Sequence, residues 1–123
     1  MKDRGNMKDK CNIVYKIPCK GNSAQTCNLS YIGQSRNSLS KRLQQHKYNI
    51  NNPHINSTAL VDYFLEFGHR PDFTNASIVS QEANYKRRCI LESLHIITND
   101  TMNYRQDTNN ISNIYNNIIN RRQ

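Results

Sequence analysis

Two short segments on either side of a polar loop limit this chain's folds more than anything else in it. In CNIVYKI (11–17), Ile13, Tyr15 and Ile17 recur at every second position, the period of a strand with one apolar face. LSYIGQ (29–34) reads as a second short strand, and the loop between holds Gly21, Asn22 and Ser23, so the pair predicts a hairpin. Asn37 or Ser38 is placed to cap a helix running to about Tyr48, with Leu39 and Leu43 on its inner face. Ser57 or Thr58 begins a second helix, ALVDYFLEF, which stops at Gly68. ASIVSQ (76–81) is a candidate third strand. NYKRRCILESLHIIT (84–98) predicts a helix with Tyr85, Ile90, Leu94 and Ile97 inward. In NISNIYNNIINRR, Ile111, Ile114, Tyr115, Ile118 and Ile119 fall on one face of an amphipathic helix. A chain of 123 residues, 36% hydrophobic, fits one domain with a single modest core.

Charge narrows the function. The formal net charge is +8, which on a small domain points to a polyanion. The carboxylates lie at Asp3, Asp9 or from residue 62 onward. From Lys10 to Val61 the chain carries seven lysines and arginines and no acid: Lys10, Lys16, Lys20, Arg36, Lys41, Arg42 and Lys47. An unneutralised stretch of this length suits a phosphate backbone, although a solvated basic face has the same composition. A membrane partner is not expected, because the stretch lacks an amphipathic apolar face and no apolar run approaches the ~18 residues needed to span a bilayer. MKDRGNMKDK leads into no apolar stretch of the secretory type. The expectation is an intracellular protein whose four cysteines stay reduced.

Glu92 stands out within RRCILESLHII, among Ile90, Leu91, Leu94, Ile96 and Ile97. A carboxylate there must face water or meet a cation or metal. On a helix its neighbours are Arg88 at i−4 and His95 at i+3. A local pair with Arg88 is one reading. The other is a magnesium site, since magnesium takes one or two protein carboxylates and fills its remaining positions with water and substrate phosphate.

In chain order, IVY (13–15), YIG (31–33), Arg42 and His46 on the next helix, and Glu92 on a later helix resemble the GIY-YIG nuclease superfamily. Ile13 stands where the first motif has its glycine, 15 residues separate Tyr15 from Tyr31, and Arg42 lies one residue further from Tyr31 than in many members. VYKIPC, YIGQS with SL, RL and His46 after it, the N-x-T-A-L of 56–60, GHRPDFTNASI and LESLHI look like the endonuclease domain of Penelope-like retroelements, over roughly residues 11 to 105.

The resemblance implies an α+β fold, a small three-stranded antiparallel sheet flanked by helices. It implies Tyr15 and Tyr31 side by side at a cleft, with Tyr15 favoured as the base and Tyr31 as its partner. Gly33 would let the chain turn and approach the phosphate, Arg42 would meet the scissile phosphate, and His46 would line the same cleft. Glu92 would hold Mg2+ or Mn2+, and Asn103 would orient active-site groups. Lys16, Arg36, Lys41 and Lys47 are the expected DNA contacts. Cys19, Cys27 and His69 resemble part of a structural zinc site. The fourth zinc ligand in that group is a histidine that falls near Tyr63, and here His46, His54 or a water could take its place.

The implied function is a metal-dependent endonuclease that nicks target DNA for retroelement integration. A nucleic-acid-binding module that has lost cleavage and a structure-specific repair nuclease are the alternatives. DNA is the expected partner, with a reverse transcriptase domain of the same polyprotein as a further one, in the nucleus, as a monomer or weak dimer. The expected organisation is a basic tail over 1–10, the endonuclease-like domain over 11–107 and a helix over 108–123 packed back on it.

Overall fold

The computed structural model describes residues 9–55 and 58–103. The tail before Asp9 and the expected helix over 108–123 lie outside the described residues. Three strands, β1 (Ile13–Pro18), β2 (Ser30–Ser35) and β3 (Ser77–Gln81), and three helices, α1 (Leu39–Asn51), α2 (Ala59–Phe67) and α3 (Tyr85–Thr98), make an α+β fold. The sheet is antiparallel with the order β2-β1-β3, so the hairpin's first strand is central. Among the described residues no helix is long and apolar enough to cross a membrane.

The central strand buries both faces. Ile13, Tyr15 and Ile17 pack with Leu39, Leu43 and Ile50 of α1 and Leu60 and Val61 of α2. Val14 packs the other way, with Ile32 and with Ile96 of α3. Local chemistry sets the helix ends. The side chains of Ser38, Thr58 and Asn84 accept the backbone N–H of Lys41, Val61 and Arg87, each cap being worth about 1 kcal/mol. Gly68, at φ 68°, ends α2 in the left-handed region that glycine enters without a Cβ penalty.

The inner face of α3 is not the predicted one. Arg88, Cys89, Ser93 and Ile96 are buried, Ile90, Leu94 and Ile97 are half-buried, and Tyr85 is 63% exposed. The reason is a polar contact that apolar periodicity does not record. Arg88 donates to Gln34 Oε1 at 2.7 Å, to Asn12 Oδ1 at 3.3 Å, and to the carbonyls of Glu82 and Ala83 at 3.0 and 3.3 Å. These bonds compensate the burial of a cation and turn α3 about its axis.

The outer edge of β2 is covered by residues 100–103. Ser30 N–H donates to the Asp100 carbonyl and Met102 N–H to the Ser30 carbonyl. Asn103 imitates a backbone: its Oδ1 accepts from Ile32 N–H at 2.9 Å and its Nδ2 donates to the Ile32 carbonyl at 2.7 Å. Asn103 thus holds β2 between Tyr31 and Gly33, a clamp on the strand that carries both.

Gly33 is in the body of β2, not at a turn, and faces Tyr15 across the ladder. A Cβ there would fall on the Tyr15 hydroxyl and 3.0 Å from Cε1 of its ring. The glycine is needed because an aromatic ring occupies the space of its missing side chain. Gly33→Ala is therefore expected to cost about 1–3 kcal/mol through overpacking, read as a fall of several degrees in the melting temperature. An unchanged melting temperature would mean that Tyr15 does not lie over this strand.

Candidate functional site

Among the described residues the fold gathers two clusters of polar and titratable side chains. The first lies where β1, β2 and α1 meet. Tyr15 projects from the central strand, Tyr31 from the edge strand, and Arg42 and His46 from one face of α1, one turn apart. The Tyr15 hydroxyl is 2.7 Å from His46 Nε2 and accepts a hydrogen bond from Arg42 Nε at 3.2 Å. Arg42 in turn donates from Nη1 to Gln45 Oε1 at 2.8 Å. Tyr31 completes the group: its ring centroid lies 6.4 Å from that of Tyr15 and 5.4 Å from that of His46, nearly edge-on to the imidazole.

Burial fixes protonation here. Tyr15 has no exposed surface, and its pKa is pushed up to about 12 by desolvation, with Arg42 pulling it down and the Glu92 charge adding a smaller upward push. His46 is also fully buried, and desolvation, helped by the Arg42 charge, lowers it to about 3. The imidazole is neutral. Arg42 occupies a lone pair of the Tyr15 oxygen, so the phenolic proton is assigned to the bond with His46 Nε2. His46 Nδ1 is buried without a hydrogen-bond partner among the described residues. Tyr31 is half-buried, so of the two phenols it is the one water can reach.

Glu92 comes from α3, on the opposite layer of the sheet, and is half-buried. Its charge is nonetheless felt at the Tyr15 hydroxyl. The basic residues divide. Arg36, Lys41 and Lys47 are exposed, and Lys41 and Arg42 line an open cleft of about 640 Å3 together with Gln44, Gln45, Tyr48 and Asn49. Lys47 stands over the Phe73 ring at 5.7 Å. Lys16 belongs elsewhere: as an even-numbered residue of β1 it turns toward α3, where its Nζ donates to Asn99 Oδ1 at 3.4 Å. Sequence reasoning missed Gln45, which orients Arg42; its position at i+3 was the available signal.

The second cluster lies beyond the far end of β1. Ligand atoms of Cys19, Cys27 and His69 fall within 4.8 Å of one another. Gly21 N–H donates to Cys19 Sγ at 3.2 Å. The Tyr63 hydroxyl is 3.1 Å from Cys27 Sγ and 3.3 Å from His69 Nδ1, while His69 Nε2 is buried without a hydrogen-bond partner among the described residues. Burial raises the Cys19 thiol; it also acts on Cys27, but there hydrogen bonds from Tyr63, the Leu29 backbone and His69 outweigh it and bring the thiol down. Neither histidine considered as a fourth member joins the group. His46 is engaged with Tyr15 and His54 is exposed. Tyr63 itself fills that place.

Compared with protein-family models, with curated proteins and with solved structures, the chain matches none.

The buried neutral imidazole makes stability depend on pH in a definite direction. The folded pKa of His46, about 3, lies below the ordinary 6.5, so protons favour the unfolded chain. Its contribution is intact above pH 6.5 and is lost progressively as the pH falls toward 3. At about 1.4 kcal/mol per unit, lowering the pH from 7 to 5 should remove about 2 kcal/mol of it. Urea unfolding of the wild type against His46→Gln measures this. The variant is expected to be less stable at pH 7 and to show a flatter profile between pH 7 and 5. Parallel profiles would mean that His46 is not buried neutral.

Proposed function

We infer that the chain is a metal-dependent DNA endonuclease that hydrolyses phosphodiester bonds. The observation that carries this is a single constellation: an arginine held by a buried tyrosine, that tyrosine held by a neutral histidine, and a second tyrosine beside both, with the arginine lining a cleft that has no acid among its described residues. Arg42 is fixed by Tyr15 and Gln45. The guanidinium has further N–H donors in the same plane, which suits two oxygens of a phosphate. Its task is to neutralise charge that grows on the phosphate in the transition state.

Tyr15 and His46 position Arg42, since both are enclosed and neither meets solvent. Tyr31 is the phenol placed to order a water for in-line attack, with its ring set by His46. Glu92 would hold the magnesium, which draws its other ligands from water and substrate phosphate. A bound divalent cation supplies charge neutralisation that Arg42 alone does not. Asn103 keeps Tyr31 in place through the backbone of Ile32. Nicking of target DNA for retroelement integration, beside a reverse transcriptase of the same polyprotein in the nucleus, is the setting that the sequence resemblance adds.

A second reading, a nucleic-acid-binding module without cleavage, draws on the inaccessibility of Tyr15, whose hydroxyl cannot touch a substrate in this arrangement. A plasmid-nicking assay with magnesium separates the two. The wild type should convert supercoiled DNA to nicked circles, and Glu92→Gln should abolish conversion with DNA affinity kept or improved. Arg42→Ala should lower the rate by about 2–4 kcal/mol in the barrier and affinity only modestly. Equal losses in rate and affinity for Arg42→Ala would make it a plain backbone contact, and binding without nicking in the wild type would leave the module reading.

The thiol cluster fits a structural zinc ion. Its donors are two sulfurs and an imidazole, the type zinc prefers, and the orphaned His69 Nε2 is a buried polar atom that lacks a partner among the described residues. Cys19, Cys27 and His69 would hold the ion, with the Tyr63 hydroxyl against Cys27 and His69. Metal analysis of the purified protein should give one zinc per chain, lost in Cys27→Ser, with a lower melting temperature after chelation. A metal-free protein whose melting temperature ignores added zinc would refute it.

A further inference from the structure

We propose that Lys20 and Arg70 form a second phosphate-binding site, remote in sequence from Arg42, that grips the backbone of the same nucleic acid. The proposal rests on the reading of the chain as a nucleic-acid-binding enzyme and extends it to residues that reading does not use.

The geometry begins with a short antiparallel pairing just past β1. Cys19 pairs with Pro71, Asp72 N–H donates to the Pro18 carbonyl at 2.8 Å, and Lys20 N–H donates to the Arg70 carbonyl at 2.8 Å. This register sets Lys20 against Arg70. Side chains alternate across a strand, so Cys19 and His69 share one side, where they meet in the thiol cluster. Lys20 and Arg70 are left together on the other, and both are exposed. Like charges facing each other across a strand pair repel. Among the described residues no acid lines the place: the open cavity of about 420 Å3 there is lined by Lys20, Gly21, Asn22, Ser23, Gly68 and Arg70.

An anion between the two cations turns that repulsion into attraction. Gly68 leaves room for one: its φ is positive and nothing lies within 4 Å of where a Cβ would stand, so no side chain intrudes beside Arg70. Asp72, the nearest acid in sequence, turns its Oδ2 to Asn75 Nδ2 at 2.7 Å and does not line the cavity. Arg70 is steadied by the Phe64 ring, 5.1 Å from its guanidinium carbon, which leaves the planar fork in place for a phosphate. The cluster on the reverse side ties the 19–21 and 69–71 segments together, so the two cations come as a preset pair.

Fluorescence anisotropy with a labelled DNA duplex, across a series of salt concentrations and without added magnesium, tests this. Neutralising one phosphate contact should make the slope of log K against log[salt] shallower by about 0.9 and weaken binding about eightfold near 0.1 M salt. Lys20→Gln/Arg70→Gln is expected to show both changes, and the charge-preserving Lys20→Arg/Arg70→Lys neither, with all three proteins melting alike. A wild-type slope in the glutamine variant, or no DNA binding by the wild type, overturns the site. Plasmid nicking reads the other question separately. A shallower slope in the variant of a protein that never nicks leaves the phosphate site standing and removes the nuclease. Nicking with a wild-type slope does the reverse.

Discussion

The contact between Tyr15 and Gly33 organises this molecule. A tyrosine on the central strand can lie flat against its neighbour only where that neighbour has no side chain, and the ladder puts glycine there. With its ring lodged over β2, the phenol reaches α1, where His46 and Arg42 meet it. The sheet is thereby bonded to the helix through a polar group buried in the core, and the helix cannot rotate without breaking both bonds. The packing of Leu39, Leu43 and Ile50 under the same strand makes the angle of α1 doubly determined. Arg42 inherits its position from this arrangement, and so does the cleft beside it.

The central strand also links the two clusters. Tyr15 sits in its middle, and Cys19 follows Pro18 at its end. The loop that leaves the strand carries Cys27 before returning as β2, so the hairpin that bears both tyrosines is closed at its far end by thiols, an imidazole and a phenol. Whatever tightens that end also fixes where β2 starts, and therefore where Tyr31 and Gly33 fall. Residues 100–103 do the same along the open edge of β2, with Asn103 holding the one residue that separates Tyr31 from Gly33. Both supports act on the strand that bears the second tyrosine.

What could be read from the chain was local. Alternation in 11–17 gave the strand, Asn37 or Ser38 and Ser57 or Thr58 gave the starts of two helices, and Gly68 gave a stop, because each depends on neighbours a few residues away. The face of α3 was not legible. Its inner side is set by Arg88, whose partners at Asn12 and Gln34 come from distant parts of the chain. Gly33 looked like a turn residue because its true reason, the Tyr15 ring, lies across a strand pair. Lys16 counted with the basic stretch by composition, yet parity along β1 sends it to the other side of the sheet. Of the candidate site, Tyr15, Tyr31, Arg42 and His46 were readable as an ordered set and do converge, whereas the membership of Tyr63 in the thiol cluster depends on how α2 is laid against the hairpin loop.

The electrostatics of the first cluster hold the Tyr15 phenol and the His46 imidazole neutral. Tyr15 is held near 12 and His46 near 3, so a proton on the phenol is very strongly favoured over one on the imidazole. An arriving phosphate adds negative charge next to Arg42. That raises the cost of a Tyr15 phenolate further, and it competes for the one cation that now lowers it. On the proposed reading, binding of a phosphate would therefore push Tyr15 away from acting as a base, and the Glu92 charge acts in the same sense. The buried pair is suited to holding Arg42 rigid through a change of charge. Tyr31, half-buried where Tyr15 is enclosed, is the less enclosed phenol of the cluster, and on the proposed nuclease reading it is the one left to meet the attacking water.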